Sequence, residues 1–176
     1  MAKMTFFRPK TEFLAWLRAY ARGRPAFDVG CGNGEFLTRM WDAGIKAMGV
    51  DKYADEIADM RVRMRTLCQD AITCKTLKTY PGLVLFCRPN HTGWVADTIA
   101  TNLHPDSEVL YISKPGNHFV DLPDFRVEEL DAPGLEVEAV WKVLKPYPRF
   151  GRPNYLLAGL ARTLAMRQGN DLIGDD

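Results

Sequence analysis

An acid and three glycines stand at alternate positions in Asp28-Val29-Gly30-Cys31-Gly32-Asn33-Gly34, between a hydrophobic strand end and a helix-like pattern opening at Glu35. Residues of these types at this spacing can hold a nucleotide-like cofactor. Glycine lacks the Cβ that would obstruct a tight turn or a close ligand, and a helix N-terminus behind it offers unpaired N–H groups. The spacing narrows the choice. A dinucleotide fingerprint needs glycines at first, third and sixth positions. Counted from Gly30 the sixth position is Glu35, and counted from Gly32 it is Leu37. The phosphate-loop pattern fails as well, because no Gly-Lys-Ser/Thr follows.

The pattern present, D-x-G-x-G-x-G, resembles motif I of the class I S-adenosylmethionine (SAM)-dependent methyltransferases. The resemblance implies S-adenosyl-L-methionine as cofactor. Asp28 would then lie near the methionine ammonium, with Gly30, Cys31, Gly32 and Gly34 lining the methionyl-ribose part. Downstream, Lys46-Ala47-Met48-Gly49-Val50-Asp51 reads as a short buried strand ending in an acid. A carboxylate there can accept hydrogen bonds from both ribose hydroxyls or cap the next helix. The resemblance gives Asp51 the ribose role, with Lys52 beside it. In Cys68-Gln69-Asp70-Ala71 the resemblance puts Asp70 on the adenine amino group and Ala71 against the ring. Asp70 can equally cap a short helix.

The family places its variable catalytic residues after the fourth strand, here Arg88-Pro89-Asn90-His91-Thr92-Gly93-Trp94. Methyl transfer is an in-line displacement with an excellent leaving group, so an enzyme mainly orients a nucleophile and handles one proton. His91 can take a proton near neutral pH. Asn90 can orient a substrate amide or hydroxyl, Arg88 can pair with a carboxylate or phosphate, and Trp94 can wall the pocket. The same Asn-His-Thr can simply cap a helix. The run differs from the Asp/Asn/Ser-Pro-Pro-aromatic motif of amino-methylating DNA enzymes, from the Pro-Cys of cytosine-carbon enzymes, and from the paired glutamates of protein arginine methyltransferases. Lys114, Asn117 and His118 follow the fifth strand and are further substrate-contact candidates at the same sheet edge.

The elements that must position these residues alternate. Helical spacing covers residues 11–22, 35–43, 54–63 and 93–103, with one or two turns within 72–79. Strand patterns cover 26–30, 47–50, 65–68, 82–87, 108–113, 126–130 and 136–144. The run from Gly82 to Cys87 is continuously apolar, as befits a central parallel strand buried on both faces. The expected fold is α/β: a doubly wound, mostly parallel seven-stranded sheet with a terminal antiparallel hairpin through Ala132-Pro133-Gly134, and helices on both faces. Residues 1–146 form the methyltransferase-like domain. Residues 147–176 form a basic-aromatic extension with an amphipathic C-terminal helix.

With 176 residues, a net charge of +1 and an ordinary apolar fraction, the chain suits one soluble domain. No stretch reaches membrane-span length, and the N-terminus does not read as a secretion signal. Cys31, Cys68, Cys74 and Cys87 show neither metal spacing nor a disulfide framework. Reduced thiols in the cytoplasm fit this usage. From Ala139 to Asn170 there is no acid, while Lys142, Lys145, Arg149, Arg152, Arg162 and Arg167 alternate with aromatics. That pattern suits a solvated surface over core aromatics, or an RNA-docking segment.

Three readings follow. The first is a SAM-dependent methyltransferase acting on an oxygen or nitrogen nucleophile of a small-molecule or macromolecular acceptor. The second is a methyltransferase-fold binding module without turnover, meeting a protein partner or a second copy through the terminal helix. The third is an RNA methyltransferase docking through the tail.

Overall fold

The structure is a computed structural model and describes residues 7–54, 57, 59–89, 93–114 and 125–144. Five helices and seven strands lie in these segments: α1 (Thr11–Ala21), β1 (Ala26–Val29), α2 (Glu35–Asp42), β2 (Ala47–Asp51), α3 (Met60–Arg63), β3 (Thr66–Cys68), α4 (Lys75–Thr79), β4 (Leu83–Cys87), α5 (Gly93–Thr101), β5 (Glu108–Ser113), β6 (Arg126–Leu130) and β7 (Ala139–Leu144). The strands form one sheet in the order β3-β2-β1-β4-β5-β7-β6. Pairing is parallel from β3 to β5, whereas β7 runs antiparallel to both β5 and β6. Chain direction reverses its spread between β1 and β4, which makes the crevice above these strands the topological switch point where open α/β sheets take ligands.

The period-2 alternation of the strands sorts two cores. On one face Ala26, Leu83, Leu85, Leu110, Ile112 and Val140 meet Phe13 and Leu17 of α1 and Phe36, Leu37 and Met40 of α2. On the other, Phe27, Val84, Phe86, Val109 and Tyr111 meet Leu77 of α4 and Val95 and Ile99 of α5. Burial on both faces explains why β1 and β4 read as unbroken apolar runs. The exception within β1 is Asp28, which shares the face of Ala26 and Leu85.

Several boundaries differ from the sequence expectation. The helix expected over 54–63 is α-helical only at Met60–Arg63 among the described residues. Asp59 is extended, and its carboxylate accepts from the N–H groups of Arg61 and Val62, so the helix starts there. The strand expected from 136 begins at Ala139. Its ladder partners end at Ser113 and Leu130, leaving residues 136–138 without a ladder partner among the described residues. The C-terminal helix and the rest of the basic extension lie outside the described residues.

Candidate active site

The glycine loop leaves β1 at the switch point. Gly30, Gly32 and Gly34 all have positive φ, at 78°, 55° and 75°. An L-residue side chain at three such positions would be strained. Gly30 still donates to Val50 O at 2.7 Å, and Gly34 N donates to Cys31 O at 2.9 Å, so the turn is closed by its own backbone. Asn33 Oδ1 accepts from Glu35 N at 3.1 Å and starts α2. Part of the glycine requirement is internal. A Cβ on Gly34 would fall inside the Val62 side chain of α3, and one on Gly30 would stand 3.3 Å from the Trp94 ring. Trp94 thus borders the loop, leaning on Phe86 with ring centroids 5.5 Å apart.

Asp28 lies beneath this loop and is 2% exposed. No described residue donates a hydrogen bond to its carboxylate. Burial, reinforced by the charge of Asp51, pushes its pKa up from 3.8 to about 7. Burial and the charge of Asp28 push the thiols of Cys31 and Cys87 well above the ordinary range, so both stay protonated. All four cysteines are free thiols. Asp51, at the end of β2, accepts from Gly32 N at 2.9 Å through Oδ2 and from Tyr53 N at 2.8 Å through Oδ1. It therefore both braces the glycine loop and caps its own turn, while each oxygen keeps further acceptor capacity. Lys52 lies over the Tyr53 ring, Nζ 4.9 Å from the centroid.

Asp70 follows β3 and caps a turn, accepting from Ile72 N at 2.9 Å. Ala71 is buried, and its carbonyl accepts from Asn102 Nδ2 at 2.7 Å; the same amide donates to Cys74 O at 2.9 Å. No motif marks Asn102. Its one sequence signal is a polar residue at the end of an apolar helix. Tyr53 and Ile72, exposed apolar side chains next to Asp51 and Asp70, are likewise additions from structure.

After β4 the structure assigns Arg88 a partner inside the protein. Its backbone is left-handed, φ 49°, and its N–H extends the ladder to Ile112 O at 2.8 Å. Its guanidinium forms an ion pair with Glu138, just before β7, and sits 5.9 Å from the Phe7 ring centre. The Glu138 side chain is 6% exposed. Asn90 and His91 lie outside the described residues, as do Asn117 and His118. Lys114 is exposed at the end of β5. Among the described residues no group of His, Cys, Asp and Glu could hold a metal ion, and no helix is long and apolar enough to cross a membrane.

The sheet order, the loop at its switch point and the acids after β2 and β3 are those of the class I SAM-dependent methyltransferase fold. Solved structures agree. The chain is similar to a TehB-like SAM-dependent methyltransferase from Corynebacterium glutamicum, with 17% identity, a TM-score of 0.53, and coverage of 78% of this chain and 89% of that one. It is similar to the 23S rRNA methyltransferase ErmE, with 14% identity, a TM-score of 0.52, and coverage of 97% and 81%. Against the mitomycin 7-O-methyltransferase MmcR the values are 18% and 0.52, with 76% of this chain and 53% of that one covered, so the chain spans about half of that enzyme. No protein-family model matches the chain, and no curated protein does either.

Proposed function

We propose that the chain binds S-adenosyl-L-methionine in the crevice above β1 and β2 and transfers its methyl group to an oxygen or nitrogen nucleophile. The observation that carries this reading is the loop of three left-handed glycines at the switch point, set over a buried carboxylate to which no described residue donates. A buried acid without donors is costly, and a cationic ligand group would offset that cost. The residues fit the cofactor: Asp28 for the ammonium, Gly30, Cys31, Gly32 and Gly34 for the methionyl-ribose portion, Asp51 and Lys52 for the ribose. Asp70 and Ala71 serve the adenine, with Tyr53 and Ile72 as apolar neighbours. The bound cofactor supplies an activated methyl group on a sulfonium.

The chain's own residues then have three tasks. Asp28 ionises to meet a cation. The Asp51 carboxylate keeps the glycine loop in shape through Gly32 N while its spare lone pairs accept hydroxyl donors. His91 receives the acceptor's proton, with Asn90 orienting the acceptor. Arg88, a candidate to pair with a substrate carboxylate or phosphate, already forms an ion pair with Glu138. The cytoplasm is the proposed location. That commitment of Arg88 also favours a second reading, a binding module that keeps the cofactor site without turnover.

Calorimetry with SAM separates these readings when paired with a transfer assay using labelled methyl groups and cell extract. The expected result is binding by the native chain, at least tenfold weaker for Asp51→Ala, with label incorporated into an extract component. Binding without incorporation supports the binding module. A folded native chain that gives no binding heat contradicts both.

A further inference from the structure

One cavity among the described residues lies away from the cofactor crevice. It is an open groove of about 680 Å³ on the outer side of α1 and α2. Its lining includes Ala15, Arg18 and Ala19 of α1, Arg22 at the α1 C-cap, and Arg39 and Asp42 of α2. Several other basic residues are paired within the protein. Arg24 and Lys142 pair with Glu108, Arg8 with Glu35, Lys10 with Glu136, and Arg65 lies over Trp41. Arg18, Arg22 and Arg39 form no ion pair with any described residue. The groove therefore holds three uncommitted guanidiniums against one carboxylate.

The geometry is built rather than incidental. Arg22 has φ 52° and ψ 38°, a left-handed cap that turns the chain at the groove's end. Gly44, φ 76°, leaves room for Arg18: a Cβ there would stand 3.4 Å from Cζ and Nη1 of that guanidinium. Arg18 and Arg22 are four residues apart, about 6 Å along the helix axis, comparable with the separation of successive phosphates on a strand. Arginine forks match phosphate oxygens bidentately. The alanine methyls in the lining carry no hydrogen-bonding group to read a base or a peptide side chain.

We propose that this groove docks the phosphodiester backbone of a single-stranded nucleic acid, independently of sequence and of the cofactor crevice. It is distinct from the basic C-terminal extension. The proposal does not rest on SAM binding, and SAM affinity serves as the control.

The test is fluorescence anisotropy with a labelled oligouridylate, titrated at about 50 and 200 mM salt. The probe should bind the native chain, more weakly at the higher salt. Arg18→Gln/Arg22→Gln/Arg39→Gln should lower affinity at least tenfold and flatten the salt slope by about 2, the share of three phosphates on a single strand. The matching triple lysine variant should keep most of the slope, because charge is retained. Both variants should melt and bind SAM like the native chain. No binding by the native chain overturns the proposal. So does an unchanged slope in the glutamine variant, a loss seen only with Arg149→Gln/Arg152→Gln/Arg162→Gln, or tighter binding of an oligoglutamate of equal charge.

Discussion

Asp28 sets the energetics of the site. An ordinary aspartate releases its proton near pH 3.8, whereas burial and Asp51 hold this one to about pH 7. Between those values the unfolded chain has lost a proton that the folded chain keeps. Stability therefore falls as pH rises through that window, by at most about 4 kcal/mol. Asp28→Asn removes the titration. Urea unfolding at pH 4.5 and pH 8 should show the variant gaining on the native chain by a few kcal/mol between the two pH values; a constant difference would mean that Asp28 ionises normally. The motif made Asp28, the glycines and Asp51 legible, since their types and spacing carry the chemistry. It did not show that Asp51 already bonds Gly32 N, because the strand end that braces the loop lies nineteen positions further along the chain. Nor did it show Arg88 turning to Glu138, fifty residues away in sequence and joined only by sheet order.

At the scale of elements, α3 and the glycine loop are one unit. Val62 occupies the space that a side chain at Gly34 would need. Val62 is β-branched and stiff at χ1, so it yields poorly. Gly34→Ala should destabilise the chain by about 2–4 kcal/mol, combining a positive-φ penalty with overpacking. Adding Val62→Ala should recover part of that loss while leaving the φ penalty. Thermal melts of the single and double variants check this, and no recovery would mean that the loop and α3 are uncoupled. Periodicity predicted a longer helix over 54–63 because helical spacing and Asp59 capping are both local signals, and the cap prevailed. Sequence patterning starts the hairpin strand three residues early for a different reason. Glu136 and Glu138 look β-compatible in sequence, but their pairing partners run out at Ser113 and Leu130.

Across the whole molecule, long-range bonds tie the ends of elements that sequence could not connect. Glu108 at the start of β5 accepts from Tyr20, Arg24 and Lys142, joining α1, β5 and β7. Burial alone would raise its pKa, but the hydrogen bonds from Tyr20, Arg24 and Lys142 prevail and hold it below the ordinary value. Asn102 similarly fastens α5 to the turn after β3. The alternation of strands and helices, the seven-strand count and the antiparallel end were legible, because βα periodicity and continuous apolar runs leave few topologies. These ties hold the sheet rigid beneath a loop whose acid awaits a cation, which is the central claim. The most direct test is SAM calorimetry at pH 6 and pH 7, below the range where the ligand's α-amino group titrates. If Asp28 must ionise to meet the ammonium, affinity should rise about fivefold across that unit, and Asp28→Asn should bind weakly at both values. SAM affinity that is flat with pH and unaffected by Asp28→Asn would contradict the account.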